Sequence, residues 1–244
     1  MGGGFIDAAQ TALALLWNFD ARLGRVVALS LYVSGTACLI ASLFGMALGA
    51  WLAVTRFAGR RVVIALLNTL LALPSVVVGL VVYLLLSRAG PLGSLGILFT
   101  PTAMIVAQTM LVLPIVAALT RQLIADAWQG NGEQWRSMGA RSLVAACLLL
   151  LHERLALVTV LLTAFGRAIS EVGAVMIVGG NIDGVTRVMT TTIALETSKG
   201  DLPLALGLGL VLLGVVGLLN ALIAVVQRQR GAHDEARVAV GAAA

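Results

Sequence analysis

Glu133-Gln134-Trp135-Arg136-Ser137-Met138-Gly139 lies in the polar part of a chain that is otherwise strongly apolar. The polar region extends from Arg121 to Arg154, with long apolar runs on both sides. A basic, amphipathic insert between membrane helices, ending in a glycine-marked bend, has no use as lipid-facing surface. It reads as a docking element offered to a soluble partner.

Composition supports that setting. The 244 residues are 60% hydrophobic and 11% charged, with a mean hydropathy of +1.03. No soluble domain of this length needs so much apolar surface, so the bilayer is its solvent. The net charge of +5 comes from arginines scattered singly between apolar runs. That pattern fits basic loops of a membrane protein and not a nucleic-acid partner. Cys38 and Cys147 show no ligand spacing and read as small packing residues. The opening residues lack the basic region and cleavage site of a signal peptide. Ile6 stands where myristoylation would need Ser or Thr.

Five stretches are long and apolar enough to span: 26–54, 62–86, 95–119, 155–178 and 202–226. At a rise of ~1.5 Å per residue each covers the ~30 Å hydrocarbon core with some tilt. Residues 5–19 differ. Phe5, Ala9, Ala12, Leu16 and Phe19 share one helical face, with Asp7, Gln10, Ala14 and Asn18 opposite. This pattern predicts an interfacial helix lying on the membrane. The expected architecture is an all-α integral membrane protein of five spanning helices plus that interfacial helix. It divides into an N-terminal segment 1–24, a membrane domain 25–228 and a disordered tail 229–244.

Arginine placement sets the orientation. Arg56, Arg60, Arg61, Arg121, Arg136, Arg141, Arg154, Arg228, Arg230 and Arg237 fall on one side; Arg22, Arg25, Arg88, Arg187 and Lys199 fall on the other. Ten against five places the insert and the C-terminus in the cytoplasm and the N-terminus outside.

Several spans carry helix breakers. Pro74 and Pro114 each remove a backbone hydrogen bond, which in lipid must be replaced by neighbouring helices or water. Such kinks suit either a helix lining a pathway or ordinary packing. Gly45 and Gly49 form a Gly-x-x-x-Gly pair, a pattern of close helix packing.

Arg167 and Glu171 are the clear charges within a span, and at four residues apart they can pair. An unpaired charge at mid-bilayer costs at least ~2.5–3.5 kcal/mol, so both should face the bundle interior or a wet cavity. The pair is either a gate, with Arg167 offering potential to an anion, or a structural ion pair that fixes packing. His152 and Glu153 lack further ligands nearby, so a metal site is not expected. Ser170 has no histidine partner, which argues against a hydrolytic triad. Lys199 is the only lysine, and no Gly-x-x-x-x-Gly-Lys-Ser/Thr loop exists to hold ATP phosphates. The chain is therefore not expected to be an enzyme, nor to need a cofactor. If transport is active, another subunit or an ion gradient must drive it, and the scarcity of intramembrane acids disfavours the gradient.

Glu133 to Gly139, with the apolar run to Leu151, resembles the cytoplasmic coupling motif of binding-protein-dependent ABC importer permeases. Glu133 and Gly139 keep the motif's spacing. Gln134 and Trp135 replace its alanines, and His152 stands at its proline. The segment Leu73-Pro74-Ser75 through Gly79 and Tyr83 to Gly93, together with Ala107-Gln108 and Leu113-Pro114-Ile115, is similar to the branch that imports molybdate, sulfate or tungstate. Within it, Gly166-Arg167-Ala-Ile-Ser170-Glu171-Val-Gly173 to Gly180-Asn181 looks most like the tungstate permeases.

The resemblance implies a type I importer fold working as a homodimer. Its partners would be two copies of an ATPase subunit and an extracytoplasmic oxyanion-binding protein, in a bacterial or archaeal cytoplasmic membrane. Glu133, Trp135, Arg136 and Gly139 would couple to the ATPase through a short helix over 133–142. Arg167, Ser170, Glu171 and Asn181 would be candidates for the gate or pathway, and 179–199 would form the external gate region. An ion-coupled secondary transporter and a membrane scaffold or enzyme subunit with no transport role are the competing classes, and neither needs the cytoplasmic insert.

Overall fold

The computed structural model describes residues 21–137 and 142–242, with side chains described for 23–129 and 144–228. The interfacial helix expected over 5–19 and the coupling glycine Gly139 lie outside the described residues. Nine α-helices and one 3₁₀ turn follow in order, with no strand among the described residues. They are α1 (Ala21–Val54), α2 (Arg60–Leu71), α3 (Ser75–Leu86), the 3₁₀ turn Gly93–Leu95, α4 (Pro101–Ser137), α5 (Ser142–His152), α6 (Arg154–Ile169), α7 (Gly173–Gly179), α8 (Met189–Lys199) and α9 (Leu202–Ala242).

Among the described residues, three helical stretches are long and apolar enough to cross a membrane: Leu23–Val54, Pro101–Gln129 and Leu202–Arg228. Counting each of two bent helix pairs as one span raises the number to five. Large side chains face outward along these helices, among them Leu39 at 74% and Leu213 at 69% exposure. Such faces suit hydrocarbon and not water. The protein is a multi-pass, all-helical membrane protein.

Two expected spans are broken. The span 62–86 divides at Ala72–Pro74 into α2 and α3. Ala72 leaves helical geometry at φ −92°, ψ 2°, and Pro74 caps α3 from an extended conformation. Proline restricts the residue before it as well as itself, so one residue type ends α2 and starts α3. The span 155–178 stops at Ile169, and Gly173 begins a separate seven-residue helix. The second bent pair is instead Val144–His152 with Arg154–Ile169, turned by 79° at Glu153. Residues 142–152, inside the expected polar insert, are thus an apolar helix.

The insert's other half also departs from expectation. α4 runs without a break through Arg121 to Ser137, where a short separate helix over 133–142 is expected, and Pro114 lies inside it. Helical backbone likewise continues over 229–242, where the sequence reading expects a disordered tail.

The chain folds as two compact units, each assembled from three segments. Of the described residues, one comprises 21–39, 73–111 and 165–217; the other comprises 40–72, 112–137, 142–164 and 218–242. In the first, Val33, Val82, Met104, Val175 and Val178 form a buried core. There α3 packs closely on α7: a Cβ on Gly79 would lie 2.7 Å from Ala174 Cα, so only glycine permits the approach. In the second unit the Gly45–Gly49 pair brings α1 against α4, since a Cβ at Gly45 would meet Val116 Cβ at 2.9 Å and one at Gly49 would meet Arg121 N at 2.9 Å. The packing role expected of that pair is what the structure has. Arg60 closes the end of α1, with Nε donating to Leu52 O at 2.8 Å and Nη2 to Ala53 O at 3.5 Å. A cation there meets the helix's unfilled carbonyls and its negative end.

Candidate functional site

The break between α6 and α7 gathers most of the polar side chains singled out in the sequence, all within the first unit. α6 ends because its last residues turn their hydrogen bonds inward. Ser170 Oγ donates back to Gly166 O, and the Glu171 amide donates to Ala168 O at 3.2 Å. Gln108 Nε2, reaching from α4, donates to the same Ala168 carbonyl at 3.0 Å. Carbonyls freed by a helix end inside a membrane protein need such donors, because lipid supplies none.

Glu171 is the hub of the break. It is 4% exposed, and both its carboxylate oxygens are used. Oε2 accepts from Arg167 Nη1 at 2.6 Å, and Oε1 accepts from the Ala174 amide at 3.2 Å. The Ser75 hydroxyl is a further hydrogen-bond partner. The main-chain oxygen of Glu171 accepts from Thr190 Oγ1 at 2.7 Å. One residue therefore ties the end of α6, the start of α3, the start of α7 and the first turn of α8. The proline break helps: Pro74 starts α3 one residue before Ser75, and Gly173 leaves room, since a Cβ there would lie 2.9 Å from Ser75 Oγ.

Arg167 is less enclosed, with its side chain 45% exposed. Glu171 is its partner among the described residues, in the pairing expected from their spacing. The pair survives the end of the helix because Glu171 sits just past α6's last turn. A satisfied, buried carboxylate fixes the geometry of the break, and a half-exposed guanidinium leaves positive charge at its surface. The arrangement offers positioning and charge.

Asn181 is not brought to Glu171. It follows α7 in left-handed backbone at φ 51°, donates from Nδ2 to Thr191 O at 3.4 Å, and accepts on its carbonyl from Arg187 Nη2 at 3.3 Å. Its loop is knotted by Thr186, whose Oγ1 donates to Gly179 O at 2.6 Å and accepts from the Ile182 amide at 2.9 Å. Adjacent residues Thr190 and Thr191 of α8 thus hold the two ends of α7. Of the coupling residues, Glu133, Trp135 and Arg136 fall on the last turns of α4, where the backbone alone is described.

Gln108, Ser75 and Thr190 are site residues the sequence reading did not single out as functional. Gln108 carries a visible signal: a long polar side chain in an apolar run, here 3% exposed. Its Oε1 is buried with no hydrogen-bond partner among the described residues. Ser75 and Thr190 are too small and too common in membrane helices to stand out.

Helices with apolar outer faces joined at a buried polar break define the chain as a multi-pass membrane protein. No family model matches the chain. Curated relatives do. It is 43% identical over 223 residues to the tungstate uptake system permease protein TupB of Peptoclostridium acidaminophilum, covering 91% of this chain and 98% of the relative. A probable anion ABC transporter permease protein of Haloferax volcanii is 42% identical, over 81% of this chain and 87% of its own. The tungstate uptake system permease protein TupB of Campylobacter jejuni is 37% identical, over 88% and 90%. The chain belongs to the ABC transporter permeases, in the group that contains the tungstate uptake permeases.

Proposed function

We propose that the chain is the membrane subunit of an ATP-driven importer for an oxyanion, with tungstate the first candidate and molybdate and sulfate the alternatives. The observation that carries this reading is the 43% identity to a tungstate permease across 91% of the chain, which includes the α6–α7 break. Five spans in a type I arrangement, a pathway at the two-fold interface of a homodimer and a cytoplasmic C-terminus complete the proposal. The membrane is a bacterial or archaeal cytoplasmic membrane. The homodimer rests on the small lumen that five spans can enclose. The orientation rests on ten basic residues against five.

The polar region at 121–154 is the proposed seat of two ATPase subunits, contacted through Glu133, Trp135, Arg136 and Gly139. Closure of the ATPases there would be converted into alternating access. An extracytoplasmic binding protein would deliver the anion to the outer region at 179–199. Arg167 would offer its half-exposed charge at the gate while Glu171 holds the break in shape. The test is radiolabelled tungstate uptake by cells expressing the chain with its ATPase and binding protein. Uptake should be blocked by vanadate and ranked by competition with molybdate and sulfate. Uptake by the chain alone, indifferent to vanadate and abolished by an ionophore, would establish ion-coupled transport instead.

A further inference from the structure

A cavity of about 390 Å³ lies away from the α6–α7 break, between the first turns of α1 and the loop that follows α7. Arg25, Val26, Leu29 and Tyr32 line it from α1, and Asp183 and Arg187 line it from the loop. Arg25, Leu29 and Tyr32 recur at the spacing of one helical face, so a cation, an apolar wall and a phenol stand in a row. The volume is far above the ~10–15 Å³ that admits one water.

The charges do not balance. Among the described lining residues, two guanidiniums stand against one carboxylate. Arg25 is exposed and has no hydrogen-bond or ion-pair partner among the described residues. Arg187 is held at two points, with Nη1 3.1 Å from Asp183 Oδ1 and Nη2 3.3 Å from Asn181 O. Its Nε is buried and has no acceptor among the described residues. Asp183 is 61% exposed at its side chain, so the carboxylate opposite Arg187 sits where solvent or a solute can replace it. Arginine pairs recognise tetrahedral oxyanions through charge-assisted hydrogen bonds, and a phenol adds a donor.

The geometry points to this cavity as a binding site for a tetrahedral oxyanion, held by Arg25, Arg187 and the Tyr32 hydroxyl, with Asp183 competing for Arg187. The ligand is either a free anion of the transported class or the phosphate of a lipid headgroup. The site deepens the proposed import function and rests on it for its placement on the outer face, where Arg25 and Arg187 both fall in the charge asymmetry. It would hold the anion before the gate.

The test uses the full chain in nanodiscs, titrated with sodium tungstate by calorimetry. In zwitterionic lipid, saturable binding is expected. Arg25→Gln and Arg187→Gln should each weaken it about 10-fold or more, the effect of losing one charge-assisted bond. Arg25→Lys should weaken it less, and Asp183→Asn should tighten it several-fold. A purely structural Arg187–Asp183 pair predicts no such tightening. Nanodiscs containing phosphatidylglycerol separate the two sources. Reduced tungstate affinity there assigns the site to lipid phosphate in the membrane; unchanged affinity assigns it to the free anion. Where Arg187→Gln fails to fold, Arg25→Gln carries the test, since Arg25 bonds to no described residue. The inference is overturned if tungstate does not bind saturably in either lipid, or binds the Arg25→Gln protein as the wild type. ATPase-dependent uptake that persists in the Arg25→Gln protein with wild-type binding would reject this site while leaving the importer reading intact.

Discussion

Replacing Glu171 with Gln keeps the side chain's shape and removes its charge, which isolates what the carboxylate does at the α6–α7 break. Both carboxylate oxygens accept: Oε2 from Arg167 at 2.6 Å and Oε1 from the Ala174 amide at 3.2 Å. An amide has one oxygen, so its NH₂ must face one of these donors. The cost of a donor left without an acceptor is about 1–3 kcal/mol. Breaking a fully buried ion pair would cost ~3–5 kcal/mol, but the Arg167 side chain is 45% exposed and can turn to water, which discounts that figure. The expected loss is about 2 kcal/mol, or a fall of roughly 4–8 °C in Tm for a chain of this size. Thermal unfolding of the solubilised protein measures it. A double-mutant cycle with Arg167→Gln should show coupling, because the two share a hydrogen bond. No measurable shift in Tm and no coupling would show that the carboxylate does not hold the break together. An intact assembly that has lost transport would move the pair from scaffold to gate.

Other perturbations test neighbouring parts of the account. Gly79→Val should cost about 1–3 kcal/mol, because its Cβ would sit 2.7 Å from Ala174 Cα. Gly214→Ala, with nothing within 4 Å of its Cβ, should be neutral or stabilising; paired melting curves decide both. Gln108→Leu removes the bond to Ala168 O but also the buried Oε1 that lacks a partner, so its net effect should stay within about 1 kcal/mol. A larger loss would mean that Oε1 has an acceptor role in the working protein. Gly139→Val should leave ATP hydrolysis by the assembled complex running while uptake stops; coupled, wild-type turnover would remove Gly139 from the coupling role.

The membrane fold was legible because its signal is summed over long apolar runs: the expected spans 26–54 and 202–226 fall close to Leu23–Val54 and Leu202–Arg228. The breaks were not, because hydropathy does not register a helix end made by two or three residues. Ser170 and Glu171 terminate α6 through local hydrogen bonds inside a stretch that remains apolar on average. Pro74 was visible as a breaker, yet its consequence, delivering Ser75 to Glu171, needed the third dimension. The Arg167–Glu171 pair was readable from spacing alone. The bonds from Thr190 to Glu171 O and from Gln108 to Ala168 O were not, since each donor is 19 or 60 residues from its acceptor. The composition change marks the polar insert but not its backbone, because α4 carries its first half as far as Ser137.

The proposed importer moves an oxyanion on energy supplied by a partner ATPase. The most direct test reconstitutes the chain with its ATPase and binding protein in sealed vesicles and follows tungstate accumulation. Accumulation should require ATP and binding protein together and persist when ionophores collapse every ion gradient. Accumulation that ignores ATP and disappears with the ionophore would contradict ATP-driven import.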